Sequence, residues 1–139
     1  IAERIRPRPE WVVGDFGCGE CLLGQALPGH RVIGLDHVAS SVEVIACDMA
    51  ATPLADHSLD CAVFSLSLMG ANWADYFKEA HRTLKPYGYL FVVEPYAKWR
   101  DRVDELRAAI EAAGFQVVGD VEQRYIQDTV DRRDPVNRL

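Results

Sequence analysis

The segment from Val12 to Glu20 constrains the fold of this chain more than any other. An apolar run ends in Asp15, and Gly17 and Gly19 follow with one residue between them. Glycine is needed where the backbone takes a positive φ or where a side chain would obstruct a close neighbour. The segment therefore predicts a buried strand that ends in a tight loop whose backbone a ligand can contact.

Two kinds of nucleotide-derived ligand suit such a loop. The dinucleotide fingerprint requires a third small residue three positions after the second glycine, and Leu22 occupies that position here. An acid directly before the loop suits a ligand that carries an ammonium group, which favours S-adenosylmethionine over a dinucleotide. The short Asp-x-Gly-x-Gly pattern also occurs in turns that bind nothing. The pattern alone therefore does not establish a cofactor-binding loop, and the other segments of the chain are needed as evidence.

Size and charge narrow the class of protein. The chain has 139 residues and a formal net charge of −6, which predicts one domain and a poor general nucleic-acid binder, because that affinity comes from neutralised phosphates. It contains neither a run of ~18–20 apolar residues nor a signal-peptide pattern, so we expect an intracellular protein without a membrane partner. Because the sequence lacks an initiator Met, we expect a piece of a longer protein.

Four cysteines raise the question of a metal or redox site. Cys18 and Cys21 form a C-x-x-C pair, but a zinc site needs about four ligands and no second pair completes one. Cys47 and Cys61 lie in apolar, strand-like runs, where a thiol packs as a small hydrophobe. The sequence thus predicts four reduced thiols and no metal.

Strand and helix patterns alternate along the chain. Strands are predicted at 11–15, 31–36, 42–48, 59–68 and 89–94, and helices at 21–27, at 72–84 with Asn72 as the cap, and at 100–113 with Gly114 as the stop. Residues 85–88 are predicted to end the helix at 72–84, because proline cannot continue a helix, and 115–121 with 124–130 are predicted to form a terminal hairpin. This order predicts a single α/β domain over residues 1–139, with a mostly parallel seven-stranded sheet, an antiparallel hairpin and helices on both faces.

Polar residues stand at the carboxyl ends of the predicted strands, where ligands bind in such sheets. Asp15, Asp36 and Asp48 close the first three strands, Ser65 lies late in the fourth and Glu94 closes the fifth. Half-buried carboxylates need hydrogen-bond donors, and a nucleoside joined to an amino acid supplies them.

Each acid can be given a role toward S-adenosylmethionine. Asp36 lies where nucleotide folds place the acid that accepts both ribose hydroxyls. Asp48 is placed to accept from the adenine amino group, and Met49 to pack on the adenine face. Asp15 and the glycine loop would hold the methionine portion. Any one of these acids alone could equally be a helix cap or a solvated loop end.

Several segments resemble the nucleomethylin group, the ribosomal-RNA-processing class I methyltransferases of eukaryotes. The most particular are Cys-Asp-Met-Ala at 47–50 and Ser-Leu-Ser-Leu-Met-Gly at 65–70, and the resemblance continues through 15–21, 53–54, 79–86 and 114–115. It implies a Rossmann-like class I methyltransferase fold, S-adenosyl-L-methionine as methyl donor and N1 of an adenine in large-subunit ribosomal RNA as acceptor. It also implies that the cofactor contacts are Gly17, Asp36, Asp48, Met49 and Ser65.

The resemblance implies partners and a location, and this chain departs from the family's pattern at two points. It implies ribosomal RNA as the partner and allows protein partners in a silencing complex. It places a eukaryotic member in the nucleus or nucleolus and a prokaryotic one in the cytoplasm. We expect the chain to be a monomer. The family carries a capping segment upstream of the first strand, and this chain begins after it. Tyr87 stands where the family usually has glycine.

The sequence identifies no catalytic residue. Adenine N1 has a free lone pair, so positioning supplies most of the acceleration and no general base is obligatory. Glu94 could stabilise the cationic product or simply end a strand, and Trp73 could stack on a flipped base or belong to the core. A small-molecule methyltransferase and a non-catalytic cofactor-binding module in a regulatory complex remain as alternatives.

Overall fold

A computed structural model describes residues 1–118, and they form a five-stranded parallel sheet with short helices around it. The strands are β1 (Val12–Phe16), β2 (Arg31–Asp36), β3 (Ile45–Ala46), β4 (Leu59–Ser65) and β5 (Leu84–Val93). The helices are α1 (Ala2–Ile5), α2 (Leu22–Ala26), α3 (Trp73–Thr83), α4 (Tyr96–Trp99) and α5 (Val103–Ala112). The strand order is β3-β2-β1-β4-β5.

The central strands β1 and β4 are apolar because both of their faces are covered. They pair in parallel register from Val13 with Cys61 to Phe16 with Phe64, and nearly all of these side chains are buried. Continuous apolar runs are what a parallel sheet covered on both faces requires. This pairing places the carboxyl end of β1 directly beside that of β4.

Each face of the sheet has its own core. One face carries a cluster in which Phe16, Phe64 and Phe77 pack together, the rings of Phe16 and Phe64 being stacked 4.9 Å apart. The other face packs Val13 and Val63 against the residues near α1 and α2. Since successive strand residues point to opposite faces, Asp15 lies on the α1 and α2 side.

The structure corrects the limits of several predicted strands, and the one expected at 59–68 ends at Ser65. The strand expected at 42–48 is reduced to Ile45–Ala46. The helix before residues 85–88 does end, at Thr83, but β5 begins at Leu84 and not at Tyr89, so these residues lie inside β5, where the register passes from Leu59 with Leu84 to Cys61 with Tyr89. The surplus residues on the β5 side form a bulge with Tyr87 at a φ of +65°, so a Pro-containing turn is absorbed without ending the strand.

Helix boundaries also move. The first predicted helix is confined to Leu22–Ala26, and the helix predicted at 100–113 is α5, with a separate α4 before it. Asn72 occupies the cap position of α3 but makes no side-chain capping bond. Gly114 follows α5 with a φ of +106°, which confirms the predicted stop.

The predicted seven strands are five within the described part of the chain. The hairpin expected at 115–121 and 124–130 is not shown there: residues 115–118 are in no strand, and the remainder lies outside the described residues. No helix among residues 1–118 is both long and apolar enough to cross a membrane.

Candidate functional site

The loop after β1 is a fixed turn that favours glycine at two positions. Gly17 has a φ of +78° and Gly19 a φ of +54°, values that side chains disfavour. A Cβ atom on Gly17 would collide with the Cβ of Ser67 in the β4–α3 loop. The N–H groups of Gly17 and Cys18 both donate to the carbonyl of Leu35, at 2.7 and 2.9 Å. The glycine loop is therefore held between β2 and the loop after β4.

Asp36 fastens the same loop from the end of β2. Its Oδ2 accepts the N–H of Gly19 at 2.8 Å, and its Oδ1 accepts the N–H of His37 at 2.7 Å. Each carboxylate oxygen has a second lone pair, so both oxygens can still accept a hydrogen bond from a ligand. Asp36 thus lies where the sequence predicts it, and it orders the loop as well.

Two clefts of about 500 and 470 Å³ share the glycine loop as a wall, each within the usual range for small-molecule sites. Gly17, Gly19 and Leu66 line both. The first cleft is otherwise lined by α1, the chain around α2 and the ends of β1 and β4, including Ile1, Ala2, Asp15, Leu22, Leu23 and Ser65. The second adds Asp36, His37, Met49, Ser67, Met69 and Gly70.

Asp15 is the one predicted site acid that lines the first cleft. Its side chain is 4% exposed, and burial, together with the charge of Asp36, raises its pKa to about 6. Desolvation disfavours the ionised form of a carboxyl group unless a cation or donors compensate. The first cleft therefore offers a carboxylate that an ammonium group would stabilise.

Met49 and Asp48 differ in their relation to the second cleft. Met49 is 1% exposed, belongs to the core and forms part of the cleft wall. Asp48 lines neither cleft. Its Oδ1 accepts the N–H of Ala50 at 2.8 Å, and its Oδ2 lies 3.5 Å from the side-chain nitrogen of Asn72. The structure therefore places Met49 in the wall of the second cleft, whereas Asp48 is engaged in its own turn.

Glu94 is tied to the β4–α3 loop. Its Oε1 accepts the N–H groups of Ser67 at 3.0 Å and Leu68 at 2.8 Å. Burial raises the pKa of Glu94, although these two hydrogen bonds and the charge of Lys98 oppose the rise. These contacts favour a structural role for Glu94 over the charge-stabilising role that the sequence suggests.

Trp73 packs as a core residue. Its ring meets those of Trp99 and Phe77 edge to face, at 5.0 and 6.2 Å between centroids, and the guanidinium of Arg102 lies 5.9 Å from its centroid. Neither cleft is lined by Trp73. Of its two predicted roles, the geometry therefore supports the core.

All four cysteines are free thiols. The sulfur atoms of Cys18 and Cys21 lie 3.0 Å apart, and burial, with the contact to Cys21 next, raises the pKa of Cys18 to about 12. Among residues 1–118, no group of three or more His, Cys, Asp or Glu side chains is placed to hold a metal ion. The pair contributes packing beneath the glycine loop, since a Cβ on Gly34 would meet both sulfur atoms.

Several cleft residues were not singled out from the sequence. They are His37, Leu66, Ser67, Met69 and Gly70 in the second cleft, and Ile1, Ala2, Leu22 and Leu23 in the first. The segment at 65–70 carried a signal through its resemblance to a known group. For Ile1 and Ala2 no local pattern exists, because only the tertiary fold brings α1 to the glycine loop.

Comparisons with known proteins indicate a methyltransferase family. A family described as "Hypothetical methyltransferase" matches residues 1–127. Ribosomal RNA-processing protein 8 of Rattus norvegicus is 43% identical over 119 residues, which is 85% of this chain and 26% of the relative. The 25S rRNA (adenine(645)-N(1))-methyltransferase of Schizosaccharomyces pombe is 43% identical over 109 residues, 76% of this chain and 34% of the relative. The chain thus spans about a quarter to a third of these relatives' length.

A solved structure shares the fold at low sequence identity. It is the Burkholderia thailandensis 1,6-didemethyltoxoflavin-N1-methyltransferase with bound 1,6-didemethyltoxoflavin and S-adenosylhomocysteine. The TM-score is 0.61 at 19% identity, with 85% of this chain and 67% of that chain covered. At this identity the likeness establishes the fold.

Proposed function

This chain belongs to the methyltransferase family that matches residues 1–127, and we propose that it binds S-adenosylmethionine and transfers the methyl group to N1 of an adenine in large-subunit ribosomal RNA. The observation that supports the acceptor is the 43% identity to the Schizosaccharomyces pombe enzyme named for that reaction. The observation that supports the cofactor site is the pair of clefts on either side of one glycine loop.

The first cleft fits the methionine half of the cofactor. An ammonium group beside Asp15 would offset the burial that raises the pKa of that carboxyl group to about 6. Gly17 and Gly19 also line this cleft, where they present backbone without a side chain. Ser65, at the end of β4, adds a hydroxyl to the same wall.

The second cleft fits the nucleoside half. Asp36 has lone pairs available for the two ribose hydroxyls while it retains the N–H of Gly19. Met49 provides an apolar, polarisable wall for a purine. Asp48 lines neither cleft, so its predicted bond to the adenine amino group requires a change in the turn at 48–51.

Methyl transfer to adenine N1 requires little of the protein beyond holding the two reactants in position. S-adenosylmethionine supplies an electrophilic methyl group on a sulfonium, and adenine N1 carries a free lone pair. The chain's own residues would hold the two reactants in line and exclude water, which is where most of the acceleration in such reactions arises. This account needs no general base, and none of the described cleft residues is assigned that role.

The first experiment is calorimetric titration with S-adenosylhomocysteine. We expect micromolar binding by the chain and at least about tenfold weaker binding by Asp36→Ala, because a lost hydrogen bond to a charged group corresponds to about 1.5–3 kcal/mol. Asp101→Ala is the matched control, since Asp101 is exposed, pairs with Arg100 and lines neither cleft. Equal binding by Asp36→Ala and Asp101→Ala would contradict the cofactor site.

The second experiment tests the acceptor. The chain is incubated with radiolabelled S-adenosylmethionine and a large-subunit rRNA transcript, and the digested RNA is analysed for N1-methyladenosine. Cofactor binding without any RNA methylation would favour the two alternatives, a non-catalytic cofactor-binding module or a small-molecule methyltransferase, and the formal charge of −6 suits both.

A further inference from the structure

The loop that joins β4 to α3 is held at one residue by two side chains that follow β5 in the chain. The N–H of Leu68 donates to Oε1 of Glu94 at 2.8 Å. The carbonyl of the same residue accepts from Nζ of Lys98 at 2.9 Å. Both backbone polar groups of Leu68 are thus fixed by charged partners, and its side chain is 1% exposed.

Gly70, two residues further on, is fixed by packing. A Cβ atom there would collide with the hydroxyl oxygen of Tyr76 and would lie 2.9 Å from Oδ1 of Asn72. The carbonyl of Gly70 also accepts the N–H of Trp73, at 3.2 Å, at the start of α3. The backbone at Gly70 therefore packs closely against the start of α3, with no space for a side chain.

Met69 lies between these two fixed residues and projects outward. Its side chain is 83% exposed, yet it forms part of the wall of the second cleft, as does Ser67. A large apolar side chain that stays in water does not gain the free energy of burial. An exposed apolar side chain at the rim of a cleft, on a backbone segment that is held on both sides, indicates a surface that a ligand covers.

We propose that Met69 contacts the flat face of the base that accepts the methyl group, and that Glu94 and Lys98 position it by clamping Leu68. This inference rests on the proposed function for the identity of the base. A thioether packs well against aromatic rings, and such a contact needs no positive charge. It therefore suits an acidic chain that binds a base more readily than a phosphate backbone.

The contact is tested with Met69→Ala, Met69→Leu and the control Val42→Ala, which removes an exposed apolar side chain that lines neither cleft. The acceptor is an RNA oligonucleotide with one unpaired adenine. We expect Met69→Ala to raise the KM for this RNA about tenfold, because it removes the apolar side chain that covers the base, and to leave the Kd for S-adenosylhomocysteine within about twofold. Met69→Leu should recover most of the KM because it keeps the apolar bulk.

Two results would overturn the contact. An unchanged KM in Met69→Ala shows that no base lies on this side chain. A weakened Kd for S-adenosylhomocysteine, with the KM for RNA unchanged, assigns Met69 to the cofactor instead.

The clamp is tested without turnover, by amide hydrogen exchange. We expect the amide of Leu68 to exchange about tenfold faster in Glu94→Ala, and Glu94→Gln to restore protection, because its amide oxygen still accepts both N–H groups. Lys98→Met removes the second partner and should raise the KM for RNA while leaving the Kd for S-adenosylhomocysteine within about twofold. Equal Leu68 exchange in Glu94→Ala and in the unmodified chain would refute the clamp.

Failure of the proposed function is recognisable separately. If the unmodified chain methylates RNA but Met69→Ala does so equally well, the inference fails and the function stands. If the unmodified chain methylates no RNA, the function fails. The contact is then judged by quenching of a single-stranded RNA that carries 2-aminopurine: loss of quenching in Met69→Ala supports it, and equal or absent quenching overturns it.

Discussion

The carboxylate of Asp36 accepts the N–H of Gly19 at 2.8 Å, so the acid that ends β2 holds the loop that follows β1. The role predicted from the sequence for Asp36 concerned a ribose. The structure adds that the same carboxylate holds the glycine loop. A substitution at Asp36 therefore affects both halves of the site.

Replacing Asp36 by asparagine should separate these two effects. The asparagine side chain would keep one carbonyl oxygen as an acceptor, so we expect Asp36→Asn to weaken S-adenosylhomocysteine binding less than Asp36→Ala does. The difference should be about two- to tenfold, the usual size of one hydrogen bond between uncharged groups. Calorimetry measures it, and equal losses in both variants would show that the bond to Gly19 contributes nothing.

Asp15 should make cofactor binding depend on pH. Its pKa in the free chain is raised to about 6 by burial, and an ammonium neighbour would lower it again. Below about pH 6 the Asp15 carboxyl group of the free chain is therefore protonated, and this proton must leave when the cofactor binds. The affinity for S-adenosylhomocysteine should then fall about tenfold for each unit by which the pH is lowered. Titrations in buffers of different ionisation enthalpy should detect the released proton, and Asp15→Asn should abolish the release.

The same shift makes a prediction for stability. A raised pKa means that the folded chain binds more protons than the unfolded chain between about pH 4 and 6, so the stabilisation is present below that window and lost as the pH rises through it. Asp15→Asn should therefore be more stable than the unmodified chain at pH 7 to 8, by up to about 3 kcal/mol. Urea unfolding at both ends of the window measures the difference, which should vanish near pH 4.

Gly17→Ala should disrupt the site for two reasons that can be measured separately. The positive φ costs a side chain about 1–2 kcal/mol, and the new Cβ would collide with that of Ser67. The double variant Gly17→Ala with Ser67→Gly removes the collision and keeps the strain, so we expect partial recovery of cofactor binding. Gly29→Ala, which has open space and no positive φ, is the matched control and should bind normally.

The pair of Glu79 and Arg82 should stabilise the fold at neutral pH. Burial raises the pKa of Glu79, but hydrogen bonds from Arg82 and Thr52 outweigh burial and give a net decrease. A lowered pKa gives stability that is present above the unfolded value and lost as the pH falls through the folded value. Glu79→Ala should lose about 3 kcal/mol at pH 7, and its stability should vary less with acid pH.

The exposed pair of Asp75 and Lys78 on the same helix supplies the control for that variant. Asp75→Ala should change the free energy of unfolding by less than about 1 kcal/mol. A loss in Glu79→Ala no larger than this would refute the stabilising role.

Local patterns were enough for much of the sheet and for part of the site. The limits of β2 agree with the prediction, because alternating and continuous apolar runs report burial directly. Gly17 and Gly19 could be identified from the sequence because a backbone position with a positive φ favours glycine. Asp15, Asp36 and Met49 line the clefts because each lies at or just beyond the carboxyl end of a strand.

Other features depend on contacts between distant segments, which no local pattern encodes. The bulge that keeps residues 85–88 inside β5 exists because β4 offers a partner on both sides of it. The role of Glu94 depends on the N–H groups of Ser67 and Leu68. Asp48, although it follows an apolar run, is turned to Ala50 by its own tight turn.

The glycine loop is a wall that both clefts share. Gly17 and Gly19 line both of them, and hydrogen bonds to Leu35 and Asp36 hold this loop. Neither half of the cofactor therefore has to order the wall, so little conformational entropy is lost there on binding.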